Sequence, residues 1–178
     1  QTGRYPGRLG VTDWIRSRFQ GGTIPSDKKN PSGFSGSKRK FLVPKNALWM
    51  ESEEVTIAEL LKPAGYATCH IGKWHLGADD WYPQKQGYDF NYGGCDYGQP
   101  PSYFDPFNQP KHRHAMIRGG IPHLPGRKPG QYLSDREAEE AVGDAGPQRV
   151  PGVGIRVGVE TCAVLRVLVV RRKVRRQR

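Results

Sequence analysis

Residues 54–77 read "EVTIAELLKPAGYATCHIGKWHLG" and predict a helix followed by a strand. Apolar side chains recur at helical spacing within Glu54–Leu61, and Thr56 and Glu59 have the spacing of a capping box. Pro63 lacks the backbone N–H that a continuing helix would need. We therefore expect a short helix that ends close to this proline.

The residues after the helix predict a buried strand. Tyr66–Ile71 is rich in β-forming residues, and glycines at positions 65 and 72 bound it. Helix, glycine, strand and glycine in this order are typical of an α/β unit. We predict an α/β fold in which this strand joins a mixed or mostly parallel sheet.

Lys73 and His75 follow this strand and are the candidate chemical pair. If residues 71–75 stay extended, alternation places both side chains on one side, at the carboxyl end of the strand, where α/β proteins bind ligands. A lysine and an imidazole suit a sulfate, phosphate or carboxylate group. The pattern alone is also compatible with a solvated lysine at a strand end and a histidine that packs beside Trp74.

The composition indicates a loop-rich body. Hydrophobic residues make up 35% of the 178 residues, mean hydropathy is −0.72, and 23 glycines and 15 prolines form about a fifth of the chain. Residues 78–131 are rich in aromatic residues, Gly and Pro, and predict a long irregular loop suited to binding. The sequence has no apolar run long enough to cross a bilayer, and its three cysteines lack the spacing of a zinc site.

The positive charge is concentrated near the end of the sequence. Residues 145–178 contain nine basic residues and one acidic residue, so they carry +8 of the net charge of +11. The first 144 residues therefore carry only +3, and the high isoelectric point is a property of the tail. A nucleic-acid partner is accordingly not favoured for the body.

The segment "GYATCHIGKWHLG", residues 65–77, resembles the second signature of the sulfatase family. Its surroundings agree, because "YPQKQGYDFNYGG" at residues 82–94 resembles the Pro and Gly-Phe-Asp segment that follows in sulfatases. "TGR" at residues 2–4 resembles the end of the first signature, CxPSRxxxxTGR. The resemblance covers about residues 1–142, and we expect the nucleophilic cysteine of the first signature to lie just before Gln1.

The resemblance implies a partial alkaline-phosphatase-like α/β domain and hydrolysis of aryl or carbohydrate sulfate esters through a formylglycine nucleophile. Lys73 would bind a sulfate oxygen, and His75 would hydrogen-bond the formylglycine hydroxyl. The family's Ca²⁺ ligands match no residues here, so we expect no metal site in this chain and no turnover by the chain alone. Export is implied if the protein is like the family. The natural ester and the oligomeric state stay open.

We divide the chain at residue 143. Residues 1–142 are interpreted as part of the catalytic domain, and "YLSDREAEEAV" at Tyr132–Val142 predicts a helix with Ser134 as its N-cap. Residues 143–178 are a basic tail rich in Val, Arg and Gly. This tail is compatible with polyanion binding or with a membrane-surface segment, but we favour sequence foreign to the family, as a reading-frame shift would produce. The alternative function is a non-catalytic basic protein that binds nucleic acid or acidic polysaccharide through this tail.

Two further pairs of residues are weaker candidates. His112 and His114 in "KHRHAM" have the spacing of a metal pair on a strand, but no third ligand is identifiable. We favour a basic surface loop for them, with a substrate-facing role as the minor option. Asp79 and Asp80 are adjacent carboxylates that we interpret as the end of a solvated loop.

Overall fold

The computed structural model describes residues 1–12, 14–15, 46–126 and 128–141, and the backbone of residues 166–171. Three helices and three strands are present in these ranges: α1 (Ile57–Leu61), α2 (Ala115–Gly119), α3 (Leu133–Ala141), β1 (Tyr66–Ile71), β2 (Phe90–Tyr92) and β3 (Arg166–Arg171). Short 3₁₀ segments connect several of them. The mixture of helix and strand agrees with the predicted α/β class, while the alkaline-phosphatase-like arrangement stays a prediction.

Helix α1 is set by its N-terminus, as its sequence predicts. The Thr56 side chain accepts a hydrogen bond from the Glu59 amide, and the Glu59 carboxylate accepts one from the Thr56 amide, 2.8 Å away. The capping box is confirmed, and α1 begins at Ile57 because Thr56 is its N-cap. After α1, one 3₁₀ turn contains Pro63, and the left-handed Gly65 leads directly into β1.

Strand β1 has the predicted bounds and lies in the middle of a three-stranded mixed sheet. It pairs in parallel with β2, with Cys69 opposite Phe90 and Ile71 opposite Tyr92. On its other side it pairs antiparallel with β3, from Tyr66 opposite Arg171 to Ile71 opposite Arg166. Five of its six residues are buried, as the apolar composition of the strand requires.

The long stretch 78–131 is more regular than the sequence analysis expects. It contains β2, α2 and the 3₁₀ segments Asp79–Trp81 and Pro83–Gln86. Strand β2 has only three residues, so no alternating pattern is long enough to indicate it. The stretch therefore supplies the parallel partner of β1 as well as loops.

Helix α3 confirms the helix predicted after residue 131 but corrects its start. The helix begins at Leu133, so Ser134 lies inside the first turn and is not the N-cap. A buried ion pair between Arg136 and Glu140 holds the helix internally, and Arg136 Nε donates to the carbonyl of Pro125 at 2.9 Å. The predicted last residue, Val142, lies outside the described residues.

Most of the 143–178 tail lies outside the described residues, and with it the predictions of polyanion or membrane-surface binding. The exception is β3, for which the sequence analysis predicts no strand. It pairs with β1 along all six residues. Within the described part of the chain, no helix is long and apolar enough to span a membrane.

Candidate anion-binding site

The loops that follow β1 and β2 leave the same edge of the sheet and form the candidate site. They are joined where the amide of Gly72 donates to the carbonyl of Tyr92 at 2.8 Å. They are joined again where the amide of His75 donates to the carbonyl of Cys95 at 2.8 Å. The carboxyl ends of neighbouring parallel strands are where open α/β sheets bind ligands.

The chain does not stay extended from residue 71 to residue 75, so that step of the sequence argument is wrong. Gly72 has φ of 91° and His75 has φ of 59°, and β1 ends at Ile71. Between the two candidate residues, the side chain of Trp74 is buried in the main core cluster, and its Nε1 donates to the carbonyl of Trp81 at 2.7 Å. The pair therefore reaches the site through a loop anchored by a buried tryptophan and not through strand alternation.

His75 is fixed at both its backbone and its ring. Left-handed backbone costs an L-residue roughly 1–2 kcal/mol, so the surrounding contacts must hold it there. One is the bond to Cys95, and the other joins ring Nε2 to the carbonyl oxygen of Ile15 at 2.5 Å. Because a carbonyl only accepts, Nε2 carries the hydrogen, and the neutral ring keeps its lone pair on Nδ1.

The pKa of His75 is lowered from its ordinary value. Burial is the largest cause, because it disfavours the charged ring, and the neighbouring Lys73 ammonium acts in the same direction. The hydrogen bond to the Ile15 carbonyl and the charge of Asp96 oppose these effects only in part. At neutral pH the site therefore combines a lysine cation with a neutral imidazole, which is able to accept a proton.

A cavity of about 490 Å³ brings Lys73 and His75 together. Its wall includes Trp14, Ile117, Gly98 and three polar side chains from the 99–112 region: Gln99, Gln109 and His112. None of the described residues that line it carries a carboxylate. Nitrogen donors such as the Lys73 ammonium, with no acidic side chain among these described residues, favour an anionic ligand.

His112 belongs to this lining, so the minor option for it, a place facing the site, has structural support. The amide of His114 donates to Nδ1 of His112 at 3.2 Å, and His114 is not part of the wall. Sequence spacing treats the two histidines alike, and only the fold separates them. The sequence from residue 106 to residue 134 also contains no acidic residue.

No calcium site is found within the described part of the chain. Among the described residues, no three His, Cys, Asp or Glu side chains come together as a metal-binding group. Asp79 and Asp80 are exposed and lie in a 3₁₀ turn that is not part of the cavity wall. The calcium of the complete enzyme stays an expectation from the resemblance.

The fold and the site define an α/β protein with a cationic pocket at the carboxyl edge of parallel strands. Over part of its length the chain is related to the sulfatases. Steryl-sulfatase of Homo sapiens is 32% identical over 99 residues, which cover 52% of this chain and 13% of that protein. Arylsulfatase G of Rattus norvegicus is 42% identical over 60 residues, covering 27% of this chain and 11% of the relative.

The arylsulfatase of Hemicentrotus pulcherrimus is 42% identical over 65 residues, covering 33% of this chain and 12% of the relative. No family model matches the chain. The aligned part of the chain thus spans roughly a tenth of the length of these curated relatives. This supports the predicted family relationship over that part of the sequence.

Proposed function

We propose that residues 1–142 are part of a sulfatase that hydrolyses sulfate esters, and that Lys73 and His75 are its sulfate-binding pair. The observation that carries the proposal is their convergence on one cavity, whose described lining residues include no acidic side chain, in a chain related to sulfatases. The preceding strand and the tryptophan between them hold both residues in place. This arrangement leaves the Lys73 ammonium and Nδ1 of His75 for a ligand.

In this proposal Lys73 binds a non-bridging sulfate oxygen. Its side chain is exposed, so the ammonium reaches the ligand without the cost of a buried, unpaired charge. Ester cleavage increases negative charge on the sulfuryl oxygens and on the leaving oxygen. A fixed cation at this position stabilises that charge more in the transition state than in the bound ester.

His75 moves a proton in this scheme. Its Nε2–H is held by the carbonyl of Ile15, so Nδ1 is the atom that accepts a proton from the attacking hydroxyl and returns it later. The lowered pKa keeps the ring neutral and able to accept at neutral pH. The attacking group, a hydrated formylglycine in this proposal, is supplied by residues outside these 178, which contain no Cys-x-Pro-Ser-Arg segment.

Sulfate binding by the 178-residue chain tests the proposal. Titration calorimetry with inorganic sulfate, at a pH low enough to protonate His75 on Nδ1, should give binding that Lys73→Ala and His75→Ala each weaken about tenfold, the loss of one charge-assisted hydrogen bond. Lys85→Ala is the matched control, because Lys85 is exposed and lies outside the cavity wall. Equal losses in all three variants, or no binding by the unmodified chain, would refute the assignment of the site.

Turnover tests the absence of the nucleophile. The purified chain should not release 4-nitrophenol from 4-nitrophenyl sulfate above the level of Lys73→Ala. Activity above that level would show that the chain itself supplies a nucleophile.

A further inference from the structure

We propose that His112 forms a second anion subsite in this cavity, so that the substrate carries another anionic group besides its ester sulfate. Acidic sulfated carbohydrate has this chemistry. The inference rests on the proposed function, because it takes Lys73 and His75 as the position of the ester sulfate. It assigns a different position, and a different residue, to the second group.

The ring of His112 is fixed as a donor. Its Nδ1 accepts from the amide of His114 at 3.2 Å, so in the neutral ring the hydrogen lies on Nε2. The backbone at His112 and Arg113 is held by Arg118, whose Nη1 donates to the two carbonyls at 3.0 Å and 3.2 Å respectively. The amide of His112 also donates to the carbonyl of Gln109 at 2.9 Å. A donor held in this way binds an acceptor with little loss of conformational freedom.

The segment of sequence that carries His112 is basic. Residues 106–134 contain no Asp or Glu, and they contain five basic residues: Lys111, Arg113, Arg118, Arg127 and Lys128. A neutral organic group would not require such a field, whereas a second sulfate or a carboxylate would be attracted by it. The second ligand group is therefore an anion and not simply a hydroxyl.

The size of the cavity leaves room for both groups. At about 490 Å³ it lies within the range of sites that hold a whole small molecule, and one sulfate group fills only a small part of it. Trp14 and Ile117 provide apolar wall for the body of the substrate. The cavity thus has donors for two anions and an apolar surface for the group that links them.

Two non-hydrolysable probes separate the subsites. Benzenesulfonate carries one anionic group, and benzene-1,3-disulfonate carries two, so their affinities can be measured without turnover. By titration calorimetry the unmodified chain should bind the disulfonate about tenfold more tightly, the effect of one added hydrogen bond to a charged group. His112→Ala should remove this preference and leave benzenesulfonate affinity unchanged, and His112→Gln, which keeps an amide donor, should retain part of it.

Arg113→Ala is the matched control. Arg113 is adjacent and carries a full charge, but it does not line the cavity, so its removal should leave most of the preference. The inference is overturned if the preference survives His112→Ala, if Arg113→Ala removes as much of it, or if His112→Ala weakens both probes equally. If Lys73→Ala leaves benzenesulfonate binding intact, the proposed function itself fails. Absence of binding by either probe overturns both.

Discussion

Gly98 leaves the space that the ring of His75 occupies, and replacing it tests how the site is held. A Cβ at Gly98 would lie 2.9 Å from Cε1 and 3.2 Å from Nε2 of His75. Carbon atoms prefer separations of about 3.5–4.0 Å, so in the Gly98→Ala variant the ring of His75 must move by roughly 0.6–1 Å. The backbone of His75 is held by its hydrogen bond to the carbonyl of Cys95. We therefore expect the ring to move and to lengthen the hydrogen bond between Nε2 and the carbonyl of Ile15.

Two effects should lower the free energy of unfolding of the Gly98→Ala variant. Overpacking costs about 1–3 kcal/mol, and a weakened hydrogen bond adds about 1 kcal/mol. Because the ring is displaced from its present position, inorganic sulfate should bind about tenfold more weakly to Gly98→Ala by calorimetry at a pH that protonates His75. The Nε2–H resonance of His75 should also move upfield as its hydrogen bond lengthens.

Gly119→Ala is the control for this experiment. Gly119 also lies near the site, at the end of α2, but a Cβ there meets nothing within 4 Å. This variant should keep both the sulfate affinity and the His75 resonance. If Gly98→Ala behaves like Gly119→Ala in both measurements, the close approach of Gly98 does not position His75 and the reasoning is refuted.

Three further predictions concern stability, each measured by guanidinium unfolding. Burial lowers the pKa of His70 to about 4, so below pH 6.5 the unfolded chain takes up the proton first. The contribution of neutral His70 to the free energy of unfolding should be fully present above pH 6.5 and should fall by about 3 kcal/mol as the pH approaches 4. A His70→Phe variant whose free energy of unfolding kept the same dependence on pH would contradict this. Thr56→Ala should cost about 1–3 kcal/mol, because Thr56 caps α1 and its Oγ1 donates to the buried carbonyl of Gln86 at 2.8 Å, whereas Thr56→Ser should cost much less. Arg136→Ala should lower the free energy of unfolding by about 3–5 kcal/mol, because it leaves Glu140 buried without its cation. The double variant Arg136→Met, Glu140→Leu removes both charges and should lose less, so an equal loss would argue against that cause.

The parts of the fold that the sequence predicts well are those determined by neighbouring residues. The capping box of α1 and the glycines around β1 act over a few positions, so their bounds can be inferred from a short stretch. Strand β2 could not be inferred in this way, because its three residues become a strand only by pairing with β1, about 20 positions earlier. Ser134 with acidic residues after it predicts an N-cap, but the helix begins one residue earlier, directly after the bridge between Phe104 and Tyr132.

The candidate site shows the same division between local and distant information. Lys73 and His75 could be selected from residue type and order, but the extended geometry used to pair them is not the observed one. Their convergence depends on Cys95 and Ile15, which lie 20 and 60 positions away along the chain. His112 could not be separated from His114 at all without the cavity wall.

Net charge is a poor guide to this site because it averages over distances that salt screens. The first 144 residues carry +3, but residues 106–134 alone carry +5, so the remainder of that body is slightly acidic at −2. Exposed charges interact over only about 8–10 Å at physiological ionic strength, so an anion in the cavity responds to the local segment and not to the total. The tail, with its +8, is therefore not needed for the proposed anion binding at Lys73 and His112. The small net charge of the first 144 residues likewise gives no reason to exclude anion binding in the cavity.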